Sequence, residues 1–177
     1  MQDKIKTEYF KTPFGELILG SFEDKLCLCD WRYRKMRTSI DKRILTELNT
    51  TFVEEESDII KETKTQLTQY FKKERTEFNI PILLVGSDFQ KNVWNTLLKI
   101  PFGKTETYLG LSKKLGNEKA IRAVASANGA NAISIIIPCH RIVGKDGTLV
   151  GYAGGLAAKR KLLDLENALI KSQLSLF

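Results

Sequence analysis

The sequence predicts an α+β protein with an N-terminal antiparallel sheet and helices, followed by a mainly helical C-terminal part that contains a helix-turn-helix. Three patterns predict this class. The first third of the chain alternates apolar and polar residues between turn signals, the middle has apolar residues at helical spacing, and the second half holds short helical segments. Gly86-Ser87-Asp88 is typical of a helix N-cap region, so we place the boundary there and assign domains 1–84 and 85–177.

The composition is typical of a globular protein. With 177 residues, of which 42% are hydrophobic and 28% charged, the chain can bury one good core or two small ones. The net charge of +7 favours an anionic partner such as nucleic acid or a phosphate-rich surface. The N-terminal MQDKIKTEYF lacks the apolar core of a signal peptide, and no apolar run is long enough to cross a bilayer. We therefore expect a cytoplasmic protein with no membrane partner.

The first domain begins with three predicted strands, KIKTEYFKT, ELILGSF and LCLCDWRY. They are separated by a Pro13-Phe14-Gly15 turn and an acidic Glu23-Asp24 turn, which is typical of an antiparallel meander. Residues 39–50 and 56–73 are polar with apolar residues at helical spacing, and they predict two helices. The segment TEFNIPILLVGSD then runs extended past Pro81.

The second domain opens with an apolar stripe at helical spacing that stops at IPFG; its members are Phe89, Val93, Trp94, Leu97 and Leu98. Thr107 is placed to cap a helix YLGLSKKLG, whose Gly116 is at the C′ position, and a second helix KAIRAVASAN follows after a short turn. Two short helices joined in this way predict a helix-turn-helix.

The second helix of this pair has two faces on a 3.6-residue period. The predicted inner face consists of Ile121, Val124, Ala125 and Asn128. The predicted outer face consists of Arg122, Ala123, Ser126 and Gly129. An outer face of small residues with one long cation lets a backbone lie close to a groove while one side chain reaches in. An ordinary solvated arginine on an alanine-rich helix is the alternative.

The chain has three cysteines, an odd number with no paired spacing, and this predicts reduced thiols rather than disulfides. Cys27 and Cys29 lie two residues apart in a predicted strand, so they share one face as small buried apolar residues. A tetrahedral zinc site would need all three cysteines and the only histidine, in a spacing typical of no common zinc module. We expect neither a metal nor a cofactor.

The third cysteine, Cys139, stands beside the only histidine, His140, in the segment IIIPCHRIVG. The preceding NAISIII is β-branched and apolar, which predicts a buried strand leading into Pro138. Neighbours in an extended chain point to opposite faces, so coupling of the two side chains needs a bend or a bridging water. GKDG at 144–147 predicts a turn that joins RIV and TLVGY in a hairpin.

Glu166 is the carboxylate that could activate this thiol. In LAAKRKLLDLENALIK it lies in the middle of a predicted apolar stripe formed by Leu162, Leu163, Leu165, Leu169 and Ile170, and Lys159 lies on the same stripe. The solvated face takes Arg160, Asp164, Asn167 and Lys171. A buried carboxylate costs several kcal/mol unless it is paired, and His140 is the natural partner.

A glutamate that holds a histidine, which in turn polarises a thiol directly or through water, lowers the thiol pKa from its usual value near 8.5. A structural pair of Glu166 with a lysine, beside a free buried cysteine, is the alternative.

The segment IPCHRIVGKDGTLVGYAGGLAAKRKLLDLE resembles the signature region of the O6-alkylguanine-DNA alkyltransferase family, in which PCHR followed by GYxGG is highly specific. The similarity extends upstream through FQKNVWNTLLKIPFGKTETYLGLSKKLGN and AIRAVASANGAN, and the N-terminal meander fits the family's first domain, so essentially the whole chain is covered. The resemblance implies a ribonuclease H-like N-terminal domain and a winged-helix-like C-terminal domain.

The resemblance further implies a DNA repair protein that transfers the methyl group of O6-methylguanine, and of O4-methylthymine, irreversibly to its own cysteine after base flipping, in a single turnover without a cofactor. Cys139 is then the acceptor, His140 the base that acts through water, and Glu166 the residue that orients His140. Asn131 is the hinge that supports the site, and Lys159 supports the site electrostatically.

The resemblance also implies contacts with DNA. Tyr108 assists rotation of the nucleotide and donates a hydrogen bond as the guanine oxygen departs, and Arg122 enters double-stranded DNA from the minor groove in place of the extruded base. The DNA-binding face consists of Tyr108, Arg122, Ala123 and Ser126. The base pocket consists of Tyr108, Ile142, Tyr152, Ala153 and Gly154. At position 153 many family members have serine, so the pocket of this chain lacks that hydroxyl.

The chain ends in Gln173-Leu174-Ser175-Leu176-Phe177, which resembles the short peptide that docks bacterial DNA polymerases and repair proteins in the replicative sliding clamp. We expect an otherwise monomeric protein. The alternatives are a non-catalytic protein that flags lesions, which would lack Cys139, a winged-helix regulator, which would need neither His140 nor Glu166, and a cysteine-histidine hydrolase.

Overall fold

The computed structural model describes residues 2–169, and the chain splits into two compact units, Met1–Gly86 and Ser87–Phe177. The first unit combines a four-stranded sheet with two helices. The second unit is mainly helical with one short two-stranded sheet. Among the described residues no helix is long and apolar enough to cross a membrane.

The sheet of the first unit is built on the predicted antiparallel meander, with β1 at Ile5–Thr12, β2 at Gly15–Phe22 and β3 at Lys25–Trp31. A fourth strand, β4 at Phe52–Glu54, pairs in parallel with β1 and gives the strand order β3-β2-β1-β4. β4 was not predicted, because three residues are too few to show a period of two.

Two helices follow the meander as predicted, α1 at Arg37–Leu48 and α2 at Asp58–Phe71. The side chain of Ser57 caps α2 by accepting a hydrogen bond from the backbone N–H of Ile60 at 3.1 Å. The buried face of α2 lies on the sheet and contributes Ile60, Thr63, Gln66, Leu67 and Tyr70 to the core.

The second unit contains α3 at Asp88–Leu97, β5 at Glu106–Thr107, α4 at Tyr108–Lys114, α5 at Ile121–Gly129, β6 at Ile142–Val143 and α6 at Leu156–Leu165. Helices α3, α4 and α5 pack against one another, and α4 and α5 form the predicted helix-turn-helix. Thr107 caps α4 by accepting from the N–H of Gly110 at 3.0 Å. Gly116 follows α4 with φ +76°, a left-handed conformation that a glycine adopts without strain.

The predicted strand before Pro138 is wrong. Residues 131–137 form a buried turn in which Ile135 has φ 72° and Ile137 donates its backbone N–H to Ile133 at 3.0 Å. The apolar, β-branched composition of this run reports burial, which a buried turn and a buried strand share. Cys139–Arg141 then forms a 3-10 turn, so the predicted alternation of side chains to opposite faces does not apply to it.

The predicted hairpin after the cysteine is present only at its GKDG turn, where the Gly147 N–H donates to Gly144 O at 3.0 Å and the Gly144 N–H donates to Thr148 O at 2.8 Å. Ile142–Val143 pairs in parallel with Glu106–Thr107 instead of with TLVGY. This short ladder joins the residue before α4 to the residue after the 3-10 turn. It therefore brings Tyr108, which follows β5, close to the cysteine turn, which precedes β6.

Three burial predictions differ in detail. Phe89 and Leu98 of the α3 stripe are 41% and 40% exposed, and Ile121 on α5 is 38% exposed.

Glu166 is not in the middle of its helix, because α6 ends at Leu165 and Glu166 is its C-cap. The helix ends there because Asn167 adopts φ 56°. The predicted stripe beyond that point is interrupted, and Ile170 and Lys171 lie outside the described residues.

Candidate active site

The Cys139 thiol lies in a buried 3-10 turn and is tied to the residues before it. Cys139 is 4% exposed, and its backbone N–H donates to Ile137 O at 2.8 Å. The side-chain amide of Asn131 donates to Ile137 O at 3.0 Å and lies 3.3 Å from Sγ of Cys139, while its oxygen accepts from the N–H of Ile133 at 2.9 Å. Asn131 thus closes the preceding turn and touches the sulfur.

His140 and Glu166 form the contact that the sequence predicts. Nε2 of His140 lies 2.8 Å from Oε1 of Glu166, and the two residues are 0% and 1% exposed. Because a carboxylate only accepts, Nε2 carries the proton and Nδ1 keeps a lone pair when the ring is neutral. Within residues 2–169, Nδ1 has no hydrogen-bond partner.

The two members of this pair have pKa values shifted in the same direction for different reasons. Burial lowers the pKa of His140, and the hydrogen bond and charge of Glu166 oppose that change only in part. Burial alone would raise the pKa of Glu166, but the hydrogen bonds and charges of His140 and Arg141 outweigh it and hold the pKa well below its usual range. At neutral pH the geometry therefore favours a neutral imidazole against an ionised carboxylate.

Arg141 is a site residue that was not predicted from the sequence. Its guanidinium binds Glu166 through two hydrogen bonds, Nε to Oε2 at 2.9 Å and Nη2 to Oε1 at 3.0 Å, and its Nη1 donates to Ile100 O at 2.6 Å. It is 6% exposed. Its position inside an apolar stretch, IIIPCHRIVG, was the available signal, because a buried cation requires a buried anion.

Lys159 and Tyr108 meet at one backbone carbonyl. Lys159 is buried on α6 and donates from Nζ to Val150 O at 3.0 Å and Gly151 O at 3.2 Å. Burial lowers the pKa of Lys159 to about 8, although the charge of the Cys139 thiolate raises it in part. The half-buried Tyr108 places its hydroxyl 3.5 Å from the same Val150 O, and burial raises its pKa.

The residues assigned to the base pocket differ in their accessibility. Tyr152, Ala153 and Gly154 are half-buried, and the Tyr152 ring stands edge-on to His140 with centroids 6.4 Å apart. Ile142 is 0% exposed in β6, so its side chain is covered. Gly155, the N-cap of α6, has φ 88°, which turns the chain from this loop into the helix that carries Lys159.

The predicted outer face of α5 is exposed at all four positions, which are Arg122, Ala123, Ser126 and Gly129. Val124 and Asn128 are buried on the inner face as predicted, and Ala127 joins them because its carbonyl accepts from Nε1 of Trp94 at 2.8 Å. The helix-turn-helix therefore presents small side chains and one arginine on a single exposed surface.

Cys27 and Cys29 are buried in β3, and Cys29 directly precedes the buried Asp30, which pairs with Arg34 and Arg37. Within residues 2–169 no group of three or more His, Cys, Asp or Glu side chains is placed to hold a metal ion. The terminal segment 173–177 lies outside the described residues.

Fold and site together define a class, proteins in which a helix-turn-helix is joined to a buried thiol beside a histidine–glutamate pair. Comparison with known proteins identifies the class. Residues 5–84 match the family model of the 6-O-methylguanine DNA methyltransferase ribonuclease-like domain, and residues 88–168 match that of the DNA binding domain of the same proteins.

Curated relatives and solved structures agree with these matches. A methylated-DNA--protein-cysteine methyltransferase of Mycobacterium leprae is 45% identical, with 94% of each chain covered. One of Methanosarcina acetivorans is 41% identical over 90% of this chain and 96% of that protein. The crystal structure of the Mycobacterium tuberculosis O6-methylguanine methyltransferase superposes with a TM-score of 0.78 at 35% identity, covering 93% of each chain. The chain belongs to the O6-methylguanine-DNA methyltransferase family.

Proposed function

We propose that this protein repairs O6-methylguanine, and also O4-methylthymine, in DNA by transferring the methyl group to its own Cys139. The observation that carries the proposal is the buried Cys139 thiol beside a His140–Glu166 pair whose Nε2–Oε1 distance is 2.8 Å. The names of its relatives, methylated-DNA--protein-cysteine methyltransferases, describe the same chemistry.

The transfer is a displacement at an sp3 carbon. The Cys139 thiol gives its proton to Nδ1 of His140 through a bridging water, and the sulfur forms a bond to the methyl carbon as the bond from that carbon to the guanine oxygen breaks. The bonding electrons go to the purine, and Tyr108 donates a hydrogen bond to its oxygen. The ring takes up one proton, which balances the proton that the thiol gave to His140, so the products are the thioether, guanine and a neutral imidazole. The thioether product does not hydrolyse at neutral pH, so each molecule acts once.

Three other residues support the reacting sulfur. Glu166 holds His140 in the tautomer that leaves Nδ1 free to accept a proton. Asn131 fixes the turn before the thiol and offers its amide to the sulfur at 3.3 Å. Lys159 places a positive charge near the thiolate and anchors the loop at Val150 and Gly151.

We propose that the exposed face of α5 meets the minor groove of double-stranded DNA. Small side chains at Ala123 and Ser126 allow close approach, and Arg122 takes the place of the extruded nucleotide, whose unstacking costs a few kcal/mol. A structure of the Mycobacterium tuberculosis relative is a complex with DNA. Arg122→Ala should slow repair in a duplex far more than on a single strand; equal slowing on both would count against this role.

The central test is intact-mass measurement after incubation with a methylated oligonucleotide. We expect one added methyl group per protein molecule, mapped to Cys139, and no further addition with excess substrate. A Cys139→Ala protein that still removed the methyl group would refute the mechanism. A non-catalytic winged-helix or lesion-flagging protein, the alternative function, would bind the oligonucleotide without any mass change.

We propose that the protein acts as a monomer in the cytoplasm and that residues Gln173-Leu174-Ser175-Leu176-Phe177 tether it to the replicative sliding clamp of a bacterium. Deleting 173–177 should abolish clamp pull-down and leave methyl transfer to a free oligonucleotide unchanged. Unchanged pull-down would refute the proposed tether.

A further inference from the structure

Arg141 is a buried side chain of the site that makes three hydrogen bonds, although it has no role in the reaction described above. Its three hydrogen bonds go to both oxygens of Glu166 and to Ile100 O, at 2.9, 3.0 and 2.6 Å. The side chains of Arg141 and Glu166 are 8% and 0% exposed. Taking a guanidinium out of water is costly, and this geometry, with two parallel bonds to one carboxylate, is the kind that offsets the cost.

The two hydrogen bonds from Arg141 to Glu166 determine the charge of the group that His140 contacts. Glu166 Oε1 accepts from both His140 Nε2 and Arg141 Nη2, whereas Oε2 accepts from Arg141 Nε. With Arg141 in place, His140 lies against a carboxylate whose charge is already balanced. Without Arg141, it would lie against an uncompensated buried anion, which stabilises the imidazolium form.

Other charged and titratable groups also act on His140, and they come from the 3-10 turn, from the loop before α6 and from α6 with its C-cap. These groups are Arg141, Tyr152, Lys159 and Glu166. Only Glu166 favours protonation of the ring, and burial together with Arg141 and Lys159 opposes it. Because Lys159 bonds to two backbone carbonyls rather than to the carboxylate, Arg141 is the cation that balances Glu166 directly.

We propose that Arg141 is a positioning residue for methyl transfer: it holds Glu166 ionised and in one orientation, and by balancing its charge it keeps His140 neutral and able to accept the thiol proton. This inference rests on the proposed function for its consequence, since an imidazolium cannot act as the base. The effect of Arg141 on the protonation of His140 can be measured without any substrate.

The chain offers a direct measurement, because it contains a single histidine. Nitrogen-15 NMR of the ring therefore reports the tautomer and the pKa of His140 without assignment ambiguity. The wild type is compared with Arg141→Gln and with Arg34→Gln. Arg34 is the matched control, since it is also a buried arginine paired with a buried carboxylate, at 3.1 Å from Asp30, in the other unit of the chain.

We expect the wild-type ring to be neutral at neutral pH with its proton on Nε2. In Arg141→Gln the pKa of His140 should rise by about one unit or more, whereas Arg34→Gln should leave it unchanged. The sign follows from the removal of a positive neighbour. An Arg141→Gln protein whose His140 pKa is unchanged or lower overturns the proposal.

The second measurement is the pH dependence of the single-turnover rate of methyl transfer. The acid limb of the profile should move to higher pH in Arg141→Gln by the same amount as the NMR titration. A protein that showed the NMR shift but never transferred a methyl group would refute the proposed function and leave the role of Arg141 toward His140 in place. A changed rate with an unmoved acid limb indicates a merely structural arginine and overturns the proposal.

A folded variant is needed for either measurement. Where Arg141→Gln does not fold, Arg141→Lys takes its place, because a lysine keeps the positive charge but lacks the planar pair of donors. We expect a smaller rise in the pKa of His140, in the same direction. A value equal to or below that of the wild type contradicts the proposal.

Discussion

The three cysteines of this chain are almost equally buried, yet they lie in two different environments. Cys27 and Cys29 are 1% and 0% exposed in β3, and Cys139 is 4% exposed in its 3-10 turn. Burial raises the pKa of Cys27 to about 12 and also raises the pKa of Cys29, where the charge of Asp30 adds to the effect. These two thiols are held in the neutral, unreactive form.

Cys139 differs in its neighbours rather than in its exposure. The Asn131 amide lies 3.3 Å from the sulfur, the positive charge of Lys159 is close enough to interact with the thiolate, and the adjoining His140 is bonded to Glu166. The comparison teaches that burial keeps a thiol protonated unless cations or hydrogen-bond donors that favour the thiolate are buried beside it, since the buried carboxylate next to Cys29 only adds to the rise of its pKa. A carboxylate, two cations and an amide are therefore kept inside this unit at a cost that a purely structural core would avoid.

The largest effect on the environment of Cys139 is expected when the carboxylate of Glu166 is neutralised. In Glu166→Gln the orienting acceptor for His140 is weakened and Arg141 loses its counter-ion, so methyl transfer should slow by about a hundredfold. The free energy of unfolding should fall by about 3 kcal/mol, because a buried cation is left unpaired. Single-turnover transfer and urea unfolding measure the two effects. Asp164→Asn, on the exposed face of the same helix, is the control and should change neither.

Removing the cation near the thiolate should have a smaller effect. Lys159→Met should slow methyl transfer about tenfold at neutral pH, since a stabilising charge is lost. The wild-type Lys159 has a lowered pKa of about 8, so it loses its charge as the pH rises through that value. The ratio of wild-type to Lys159→Met rates should therefore shrink above about pH 8. A ratio independent of pH would mean that Lys159 acts only as an anchor for the loop.

Local signals made much of the fold predictable. The cap at Thr107 and the left-handed Gly116 depend on residues within one helical turn, so the helix-turn-helix was predicted element by element. The contact of Glu166 with His140 was predictable for a different reason, because a carboxylate on an apolar stripe needs a partner and the chain has one histidine.

The failures share a physical cause. The run before Pro138 was predicted as a strand because apolar composition reports burial but not the backbone path, which the side chain of Asn131 fixes through bonds to Ile133 and Ile137. Arg141 was missed because a single cation beside a histidine gives no sign of which carboxylate it meets across 25 residues of chain. Which of the many carboxylates this arginine meets is visible only once the fold is known.

The smallest effect at neutral pH concerns the two thiols of β3, because they change stability only at alkaline pH. The pKa of Cys27 is raised from 9.0 to about 12 in the folded protein, and that of Cys29 is raised as well. Their contribution to stability is therefore fully present below about pH 9 and is lost as the pH rises toward the folded values, because the unfolded chain gives up these protons first. For each thiol the free energy of unfolding should fall by about 1.4 kcal/mol per pH unit in that window.

A Cys27→Ala/Cys29→Ala protein should lack this alkaline loss and still accept one methyl group at Cys139. Urea unfolding of the variant and the wild type at neutral and alkaline pH measures the difference, and the titration of Lys159 cancels because both proteins contain it. If the two proteins lost stability in parallel, the thiols of β3 would ionise as readily in the folded as in the unfolded chain. The contrast between Cys139 and the other two would then not rest on their surroundings.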